Sequence, residues 1–309
     1  MDVLAIDVAK GELVVYDSKK VFTVENRPKQ IDMLLAAYPG YAVVLEPTST
    51  YHLELATRAH RLGRTVYLVN PRKTHYFAKS SNCRANTDPI MAEVLHEYLH
   101  AFLHKLKPWS PMPEDLRRLK SLVQRWFHLG QMRSKLVQVH GKDTSPALEA
   151  TLRDLSALID DTERQAIAQA RSVDDGCYKR VHGTVGFGPF AACAYTFLLS
   201  SKTFQTADAL CAFVGLDLQV ADSGKRKGRR FLTKHGDRVL RYATTCAGRG
   251  LLNSSLGRNK NEELKARNRK HAERLVIAGR KLIRTIFALH QQQKEFDPAK
   301  FVWALDNGP

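Results

Sequence analysis

The chain has 309 residues, 44% of them hydrophobic and 26% charged, which is enough for about two domains with cores of their own. The formal net charge of +17 indicates a polyanionic partner, with nucleic acid the first candidate and an anionic membrane the second. Five scattered cysteines without a C-x-x-C pair argue against a disulfide framework or a zinc knuckle. No signal peptide is recognisable, and charges interrupt the most apolar C-terminal run, so we expect a cytoplasmic protein without a membrane partner.

The positive charge is concentrated toward the C-terminus. Residues 177–309 carry 24 Lys and Arg against 10 Asp and Glu, whereas residues 1–100 carry 12 against 11. The surface that binds the polyanion is therefore expected mostly in the C-terminal part. The N-terminal part has nearly equal numbers of positive and negative side chains and can hold a carboxylate site.

The first 25 residues predict three strands joined by tight turns, at residues 3–6, 13–16 and 21–24. Helices and strands then alternate, which is typical of parallel strands with helical crossovers. The predicted elements are helices 28–38 and 51–62 and strands 41–45 and 66–69. Three hairpin strands followed by parallel β-α units is the element order of an RNase H-like fold, which we assign to residues 1–107.

The remainder is predicted to be helical. A helix from Asp88 to about residue 106, with Pro89 at its first position, precedes a proline-rich linker. Apolar positions at helical spacing then predict two long amphipathic helices joined by a polar turn at 140–145, that is, a helical hairpin or coiled-coil arm over 108–176 that could pair with another subunit. Residues 177–309 form a third predicted domain, which begins with an apolar helix at 190–199 and ends with a basic helix at 262–292.

Three carboxylates occupy special places in this predicted fold. Asp7 ends the first strand, Glu46 ends the fourth, and Asp88 opens a later helix. Strands one and four are neighbours in an RNase H-like sheet, so the side chains can converge, and oxygen ligands of this kind suit Mg²⁺ or Mn²⁺. Each residue also has an ordinary explanation: a strand-end turn residue, a surface carboxylate and a helix N-cap, respectively.

A single serine, Ser223, lies in an Asp-Ser-Gly loop that is followed by many positive charges. A hydroxyl in such surroundings indicates a phosphate backbone that is either held or attacked, although a basic glycine-containing loop is more often only a solvated binding loop. The predicted nucleic-acid-binding residues are Lys225, Arg226, Lys227, Arg229, Arg230, Lys234, Arg238 and Arg241.

Together these motifs resemble the DEDD transposases of bridge-RNA-guided insertion sequences and their relatives, the Piv-type DNA invertases. The matching segments are Ile6-Asp7-Val8-Ala9-Lys10, Leu45-Glu46-Pro47-Thr48, Asn70-Pro71, Thr87-Asp88, Val185-Gly186-Phe187-Gly188-Pro189, Phe213-Val214-Gly215-Leu216, Ser223-Gly224, Lys227-Gly228-Arg229, Thr233-Lys234 and Gly236-Asp237-Arg238-Val239-Leu240-Arg241. They span nearly the whole chain in a consistent order. The resemblance implies a RuvC-like N-terminal domain, a coiled-coil arm and a C-terminal transposase domain with a helix–hairpin–helix-like motif.

The resemblance also implies a mechanism and partners. Ser223 would attack a DNA phosphodiester and form a phosphoserine link, while Asp7, Glu46 and Asp88 hold Mg²⁺ or Mn²⁺ against the same phosphate. A structured bridge RNA would select the DNA. The serine and the acids come from different domains, which in this family meet between subunits of a homodimer or homotetramer. The implied location is the nucleoid of a bacterial cytoplasm.

One position departs from the family pattern. The fourth acid should follow three residues after the third, but Met91 occupies that place. Residues 88 and 91 share one helix face, so the missing carboxylate should have joined the metal site. Three alternatives to an RNA-guided transposase therefore stay open: an impaired or domesticated nucleic-acid-binding relative, a Piv-type invertase, and a junction-resolving nuclease that uses only the carboxylates.

Overall fold

The structure, a computed structural model, describes residues 2–80, 88–140, 145–219, 231–232 and 236–303. It divides into two compact units, Met1–Pro111 and Met112–Pro309, each with hydrophobic clusters of its own. Among the described helices, none is long and apolar enough to cross a membrane.

The first unit is built on a mixed five-stranded sheet. Its strands are β1 (Val3–Val8), β2 (Glu12–Tyr16), β3 (Val21–Glu25), β4 (Ala42–Leu45) and β5 (Val66–Leu68). The spatial order is β3-β2-β1-β4-β5, with antiparallel pairing among the first three strands in sequence and parallel pairing of β1 with β4 and of β4 with β5. The predicted antiparallel and parallel pairings are therefore confirmed.

Helices cover both faces of this sheet. They are α1 (Pro28–Ala37), α2 (Leu53–Arg61), α3 (Pro71–Ser80) and α4 (Asp88–Phe102). Alternate residues of β1 and β4, such as Ile6 and Leu45, pack against α1 and α2, and the intervening residues, such as Ala5 and Val44, pack against Leu95 of α4. The strand period of two thus divides the sheet into two buried faces.

Two elements in this unit differ from the sequence-based prediction. The predicted helix from Asp88 ends at Phe102, and residues 103–105 form a 3₁₀ turn instead. Helix α3 was not predicted at all. It begins at Pro71 directly after β5 and contains mostly polar residues, but it buries Thr74 and Ala78. A short helix of this composition has too weak an apolar pattern to stand out in the sequence.

The second unit is a helical assembly around one large core. Its helices are α5 (Glu114–His140), α6 (Pro146–Gly183), α7 (Pro189–Ser201), α8 (Ala207–Val214), α9 (Arg238–Asn253), α10 (Arg258–Ala266) and α11 (His271–Gln292). Helices α5 and α6 pack together, as expected for a hairpin. Helix α6 begins where the Ser145 hydroxyl accepts a hydrogen bond from the Leu148 amide. It continues past residue 176 through a kink at Asp174, whose carboxylate caps the second segment by accepting from the Cys177 amide at 2.8 Å.

The predicted single helix over residues 262–292 is wrong, because this segment contains a break. Helix α10 ends at Ala266, and α11 starts at His271. Residues 267–270 are all polar, so no apolar side chain there can stabilise helix continuation by packing. Asn268 adopts φ = +54°, a left-handed conformation that Asn tolerates better than most residues.

Candidate active site

Asp7 and Glu46 stand at the carboxyl ends of two neighbouring parallel strands. Asp7 is the last but one residue of β1, and Glu46 follows the last residue of β4. Ile6 is opposite Leu45 in the ladder, so the next position along brings Asp7 opposite Glu46. Both residues are half-buried. The predicted adjacency of the first and fourth strands is thus confirmed.

Both carboxylates belong to the sheet face that α4 covers. On β1, Asp7 continues the alternation of Val3 and Ala5, which pack in the same cluster as residues of α4. Glu46 continues the alternation of Ala42 and Val44 on β4 in the same way. The strand register therefore gives two acidic side chains at one edge of one sheet face.

A buried threonine holds one oxygen of the Glu46 carboxylate. The Thr74 hydroxyl on α3 lies 2.8 Å from Oε2 of Glu46 and 2.9 Å from the carbonyl oxygen of Pro71. Thr74 is fully buried. One hydroxyl proton thus has two acceptors: it can be donated to Glu46, or it can turn to Pro71 when the carboxylate rotates. The threonine can therefore orient Glu46 without being left unsatisfied when that carboxylate moves.

The third predicted acid, Asp88, is the first residue of α4, but its side chain lies outside the described part of the structure. Met91 occupies the first turn of the same helix and is half-buried. Among the described side chains, no group of three or more His, Cys, Asp or Glu is placed to hold a metal ion. Asp7 and Glu46 supply the hard oxygen donors that Mg²⁺ and Mn²⁺ prefer, so the described pair fits part of such a site.

Ser223 lies outside the described residues, as do Lys225, Arg226, Lys227, Arg229, Arg230 and Lys234. The structure does describe both ends of this segment. Strand β6 (Leu218–Gln219) pairs antiparallel with β7 (Phe231–Leu232), with Gln219 opposite Phe231. The stretch 220–230, which we call the serine loop, therefore closes on a two-stranded ladder.

A second contact fixes the base of the serine loop. Gly215 ends α8 with φ = +80°, and a Cβ on it would come within 2.6 Å of the Gly236 amide nitrogen. A Cβ on Gly236 would overlap the backbone of Phe213 and Val214. The chain entering the loop thus crosses the chain leaving it with backbone against backbone, which only glycine permits here.

The two predicted nucleic-acid-binding arginines in the described part, Arg238 and Arg241, have different surroundings. Arg241 is half-buried, and its Nη1 donates a hydrogen bond to the Gly236 carbonyl oxygen at 2.5 Å, so it also stabilises the base of the serine loop. Arg238 is exposed, and its guanidinium lies 5.6 Å from the ring centre of Phe127. Asp237 caps the start of α9, because its carboxylate accepts a hydrogen bond from the Val239 amide at 2.7 Å.

The buried cysteines of the second unit are poorly suited to act as nucleophiles. Cys177, Cys193 and Cys211 are buried free thiols. Burial raises the pKa of Cys177 to about 11 and that of Cys193 to about 12, so neither is ionised near neutral pH. Cys246, on α9, is exposed and free.

Sequence reasoning missed two residues that shape these sites, Thr74 and Gly236. A lone threonine in a polar segment carries no signal, because only the packing of α3 brings its hydroxyl to Glu46. Gly236 stands within a recognisable sequence motif, but its close approach to residues 213–215 depends on tertiary structure.

Comparison with protein families gives two matches. A model of DEDD-type IS110 transposases matches residues 4–140, the stretch that contains Asp7, Glu46 and α4. A second model, described as transposase IS116/IS110/IS902 family, matches residues 178–258, which contain the serine loop and α9. A search among curated individual proteins finds no match.

Proposed function

This chain belongs to the IS110/IS116/IS902 family of transposases, and from that premise we propose that it cuts and rejoins DNA with Ser223 as nucleophile. The proposal includes a divalent metal held by Asp7, Glu46 and Asp88. The observation that supports it is the β1–β4 register, in which Ile6 pairs with Leu45, so that Asp7 and Glu46 are the next residues of two neighbouring strands.

The strand order also supports an RNase H-like, RuvC-like fold for the first unit. A central β1 with an antiparallel hairpin on one side and parallel strands on the other is the arrangement that this fold requires. Helices α5 and α6 supply the proposed arm of residues 108–176, and α6 continues into the proposed C-terminal domain of residues 177–309.

In the proposed reaction, the Oγ of Ser223 attacks the phosphorus of a DNA phosphodiester. A bond forms between Oγ and phosphorus, and the bond between phosphorus and one deoxyribose oxygen breaks. The serine gives up its proton, and the departing deoxyribose oxygen gains one. Because the phosphodiester is conserved as a phosphoserine link, the hydroxyl of another strand can reverse the step and rejoin the DNA.

The acidic residues and the basic residues have separate parts in this proposal. Mg²⁺ or Mn²⁺ bound by the three carboxylates would polarise the phosphoryl group. Thr74 keeps Glu46 oriented for that task. The Lys and Arg residues of the serine loop bind the DNA backbone and offset negative charge that develops on the phosphate.

The proposed partners are DNA, a structured guide RNA and further copies of the chain. Ser223 and the carboxylates belong to different units of the chain, and in the resembling family they meet between subunits. We therefore propose a homodimer or homotetramer as the active form. Ribonuclease treatment of the complex purified from cells that carry the gene and its flanking DNA should abolish targeted cleavage; cleavage at the same sites after treatment would contradict RNA guidance.

The proposal is tested by strand cleavage on a plasmid that carries the DNA flanking the gene, in the presence of Mg²⁺. Ser223→Ala should abolish cleavage while DNA binding survives, and Glu46→Gln should do the same. Ser121→Ala, an exposed serine on α5, is the matched control and should cleave like the wild type. Undiminished cleavage by Ser223→Ala would refute the serine mechanism.

Met91 favours a second candidate function, a nucleic-acid-binding relative that no longer cuts. Its thioether stands in the first turn of α4, where the family has a fourth acid. If the wild type binds DNA but is silent with both Mg²⁺ and Mn²⁺, and Met91→Asp restores cleavage, this second function is correct. Cleavage by the wild type excludes it.

A further inference from the structure

One face of α9 combines positive charge with an exposed aromatic ring. Four exposed residues, Arg238, Tyr242, Cys246 and Arg249, follow one another at spacings of four, four and three positions and so lie on one side of the helix. We call them the α9 stripe. Helix α9 begins at Arg238, two residues after Gly236 at the base of the serine loop.

The aromatic ring of the α9 stripe is held in place from behind. Tyr242 is 40% exposed, yet its ring makes edge contacts with Phe127 of α5 and Phe190 of α7, at centroid distances of 5.2 and 5.8 Å. Phe127 is buried, and the Arg238 guanidinium lies over its ring. Two aromatic side chains therefore hold the Tyr242 ring in position, and part of the ring stays exposed to solvent.

The charges of the stripe are not neutralised by the rest of the described chain. Helix α9 contains no acidic residue, and neither Arg238 nor Arg249 forms an ion pair with any described residue. Other basic residues of the unit are paired, for example Arg284 with Asp208 at 2.7 Å. Guanidinium groups that have no ion pair within the described part of the chain, on both sides of an open aromatic ring, are the combination that binds an unpaired nucleic-acid strand, through phosphates and base stacking.

We propose that the α9 stripe binds a single-stranded segment of DNA, with one base stacked on Tyr242 and phosphates held by Arg238 and Arg249. The two arginines are eleven positions apart, or about 16 Å along the helix axis, which gives room for several nucleotides. The choice of DNA rests on the proposed function. The stripe itself needs no metal and no cleavage, so it can be tested without either.

The first test is fluorescence anisotropy of the full chain with a short labelled oligonucleotide of mixed sequence, without divalent metal. Tyr242→Ala should raise the Kd for single-stranded DNA about tenfold, whereas Tyr242→Phe, which keeps the ring, should bind like the wild type. For blunt duplex DNA the two variants should be equal, because paired bases cannot stack on the ring. An equal loss for Tyr242→Ala and Tyr242→Phe, or no loss in either, overturns the stacking role.

The second test concerns the charges. Arg249→Gln should weaken binding and reduce the slope of log Kd against log salt by about 0.7, the value for one single-strand phosphate contact. Lys294→Gln removes another exposed charge, just beyond the end of α11, and should change the affinity less. The same loss in both variants would mean that only net charge matters and would overturn the site. Stripe variants that weaken RNA of the same sequence but leave DNA unchanged would overturn the assignment to DNA.

A third measurement uses the wild-type protein, so it does not depend on the folding of variants. Cys246 lies within the stripe and is the exposed thiol among the described cysteines. Saturating single-stranded DNA should slow alkylation of Cys246, measured by mass spectrometry, several-fold. Unchanged alkylation at saturation overturns the proposal. DNA binding by the stripe is measured without metal. A failure to bind DNA would therefore not contradict Ser223 as the nucleophile, and a failure to cleave DNA would not contradict binding by the α9 stripe.

Discussion

At the scale of single residues, the structure adds Thr74 to the acidic site. Thr74→Val keeps the side-chain shape but removes the hydroxyl that bonds Glu46. We expect the Mg²⁺ concentration for half-maximal cleavage to rise about tenfold or more, because partners that orient a metal ligand typically contribute that much. Thr74→Ser should behave like the wild type. The measurement is a metal titration of cleavage, with the melting temperature of each variant measured in parallel.

The outcome separates positioning from packing. If Thr74→Val lowers the melting temperature but leaves the metal titration unchanged, Thr74 is only a core residue. If Glu46→Gln cleaves normally, the metal site itself is wrong, whatever Thr74 does. The neighbouring positions of Asp7 and Glu46 could be predicted because each stands at the carboxyl end of an apolar strand whose place in the sheet the element order indicates. Thr74 could not, because only the packing of α3 brings it to Glu46.

A second residue-scale prediction concerns pH. Burial alone would raise the pKa of Asp17, but hydrogen bonds from the Lys20 and Lys19 amides and the Tyr38 hydroxyl outweigh it and leave the pKa below its ordinary value. Because the pKa of Asp17 is lower in the folded chain than in the unfolded chain, the ionised carboxylate stabilises the fold at pH values above the unfolded pKa of about 3.9. This stabilisation is lost as the pH falls through the folded pKa.

Asp17→Asn should therefore lower the melting temperature at neutral pH, and the difference from the wild type should shrink as the solution is acidified below the folded pKa of Asp17. Thermal unfolding followed by circular dichroism at several pH values measures this. A difference that is constant over the whole pH range would show that the charge of Asp17 contributes nothing.

At the scale of elements, the base of the serine loop is the most constrained point. Gly236→Ala would place a methyl group against the backbone of Phe213 and Val214, so we expect a loss of about 1–3 kcal/mol in the free energy of unfolding, together with reduced cleavage. Gly130→Ala, in the middle of α5 with nothing near the added methyl, should instead stabilise by about 1 kcal/mol. Denaturant unfolding measures both, and equal effects would contradict the crossing at Gly215 and Gly236.

The elements also show where sequence patterns are reliable. Strands β1 to β5 and helices α1, α5 and α7 have strong apolar periodicity and were predicted to within a few residues. Helix α3 and the break between α10 and α11 were not, because both involve polar segments whose structure is set by caps and by neighbours. Ser223 was singled out by its basic surroundings, and its role stays a prediction.

At the scale of the whole molecule, the chain contains two units with separate cores. The sheet of Met1–Pro111 is covered by its own helices on both faces. A fragment of residues 1–111 should therefore unfold cooperatively on heating. Differential scanning calorimetry of the fragment tests this, and a fragment without a cooperative transition would mean that its cores depend on the remaining residues.

The central claim is that Ser223 becomes covalently linked to DNA during cleavage. The most direct measurement is protease digestion and mass spectrometry of the protein–DNA adduct trapped in the presence of Mg²⁺. The predicted result is a nucleotide on Ser223 in the wild type and no adduct in Ser223→Ala or Glu46→Gln. DNA cleavage by the wild type without an adduct, or with the adduct on a different residue, would contradict the account.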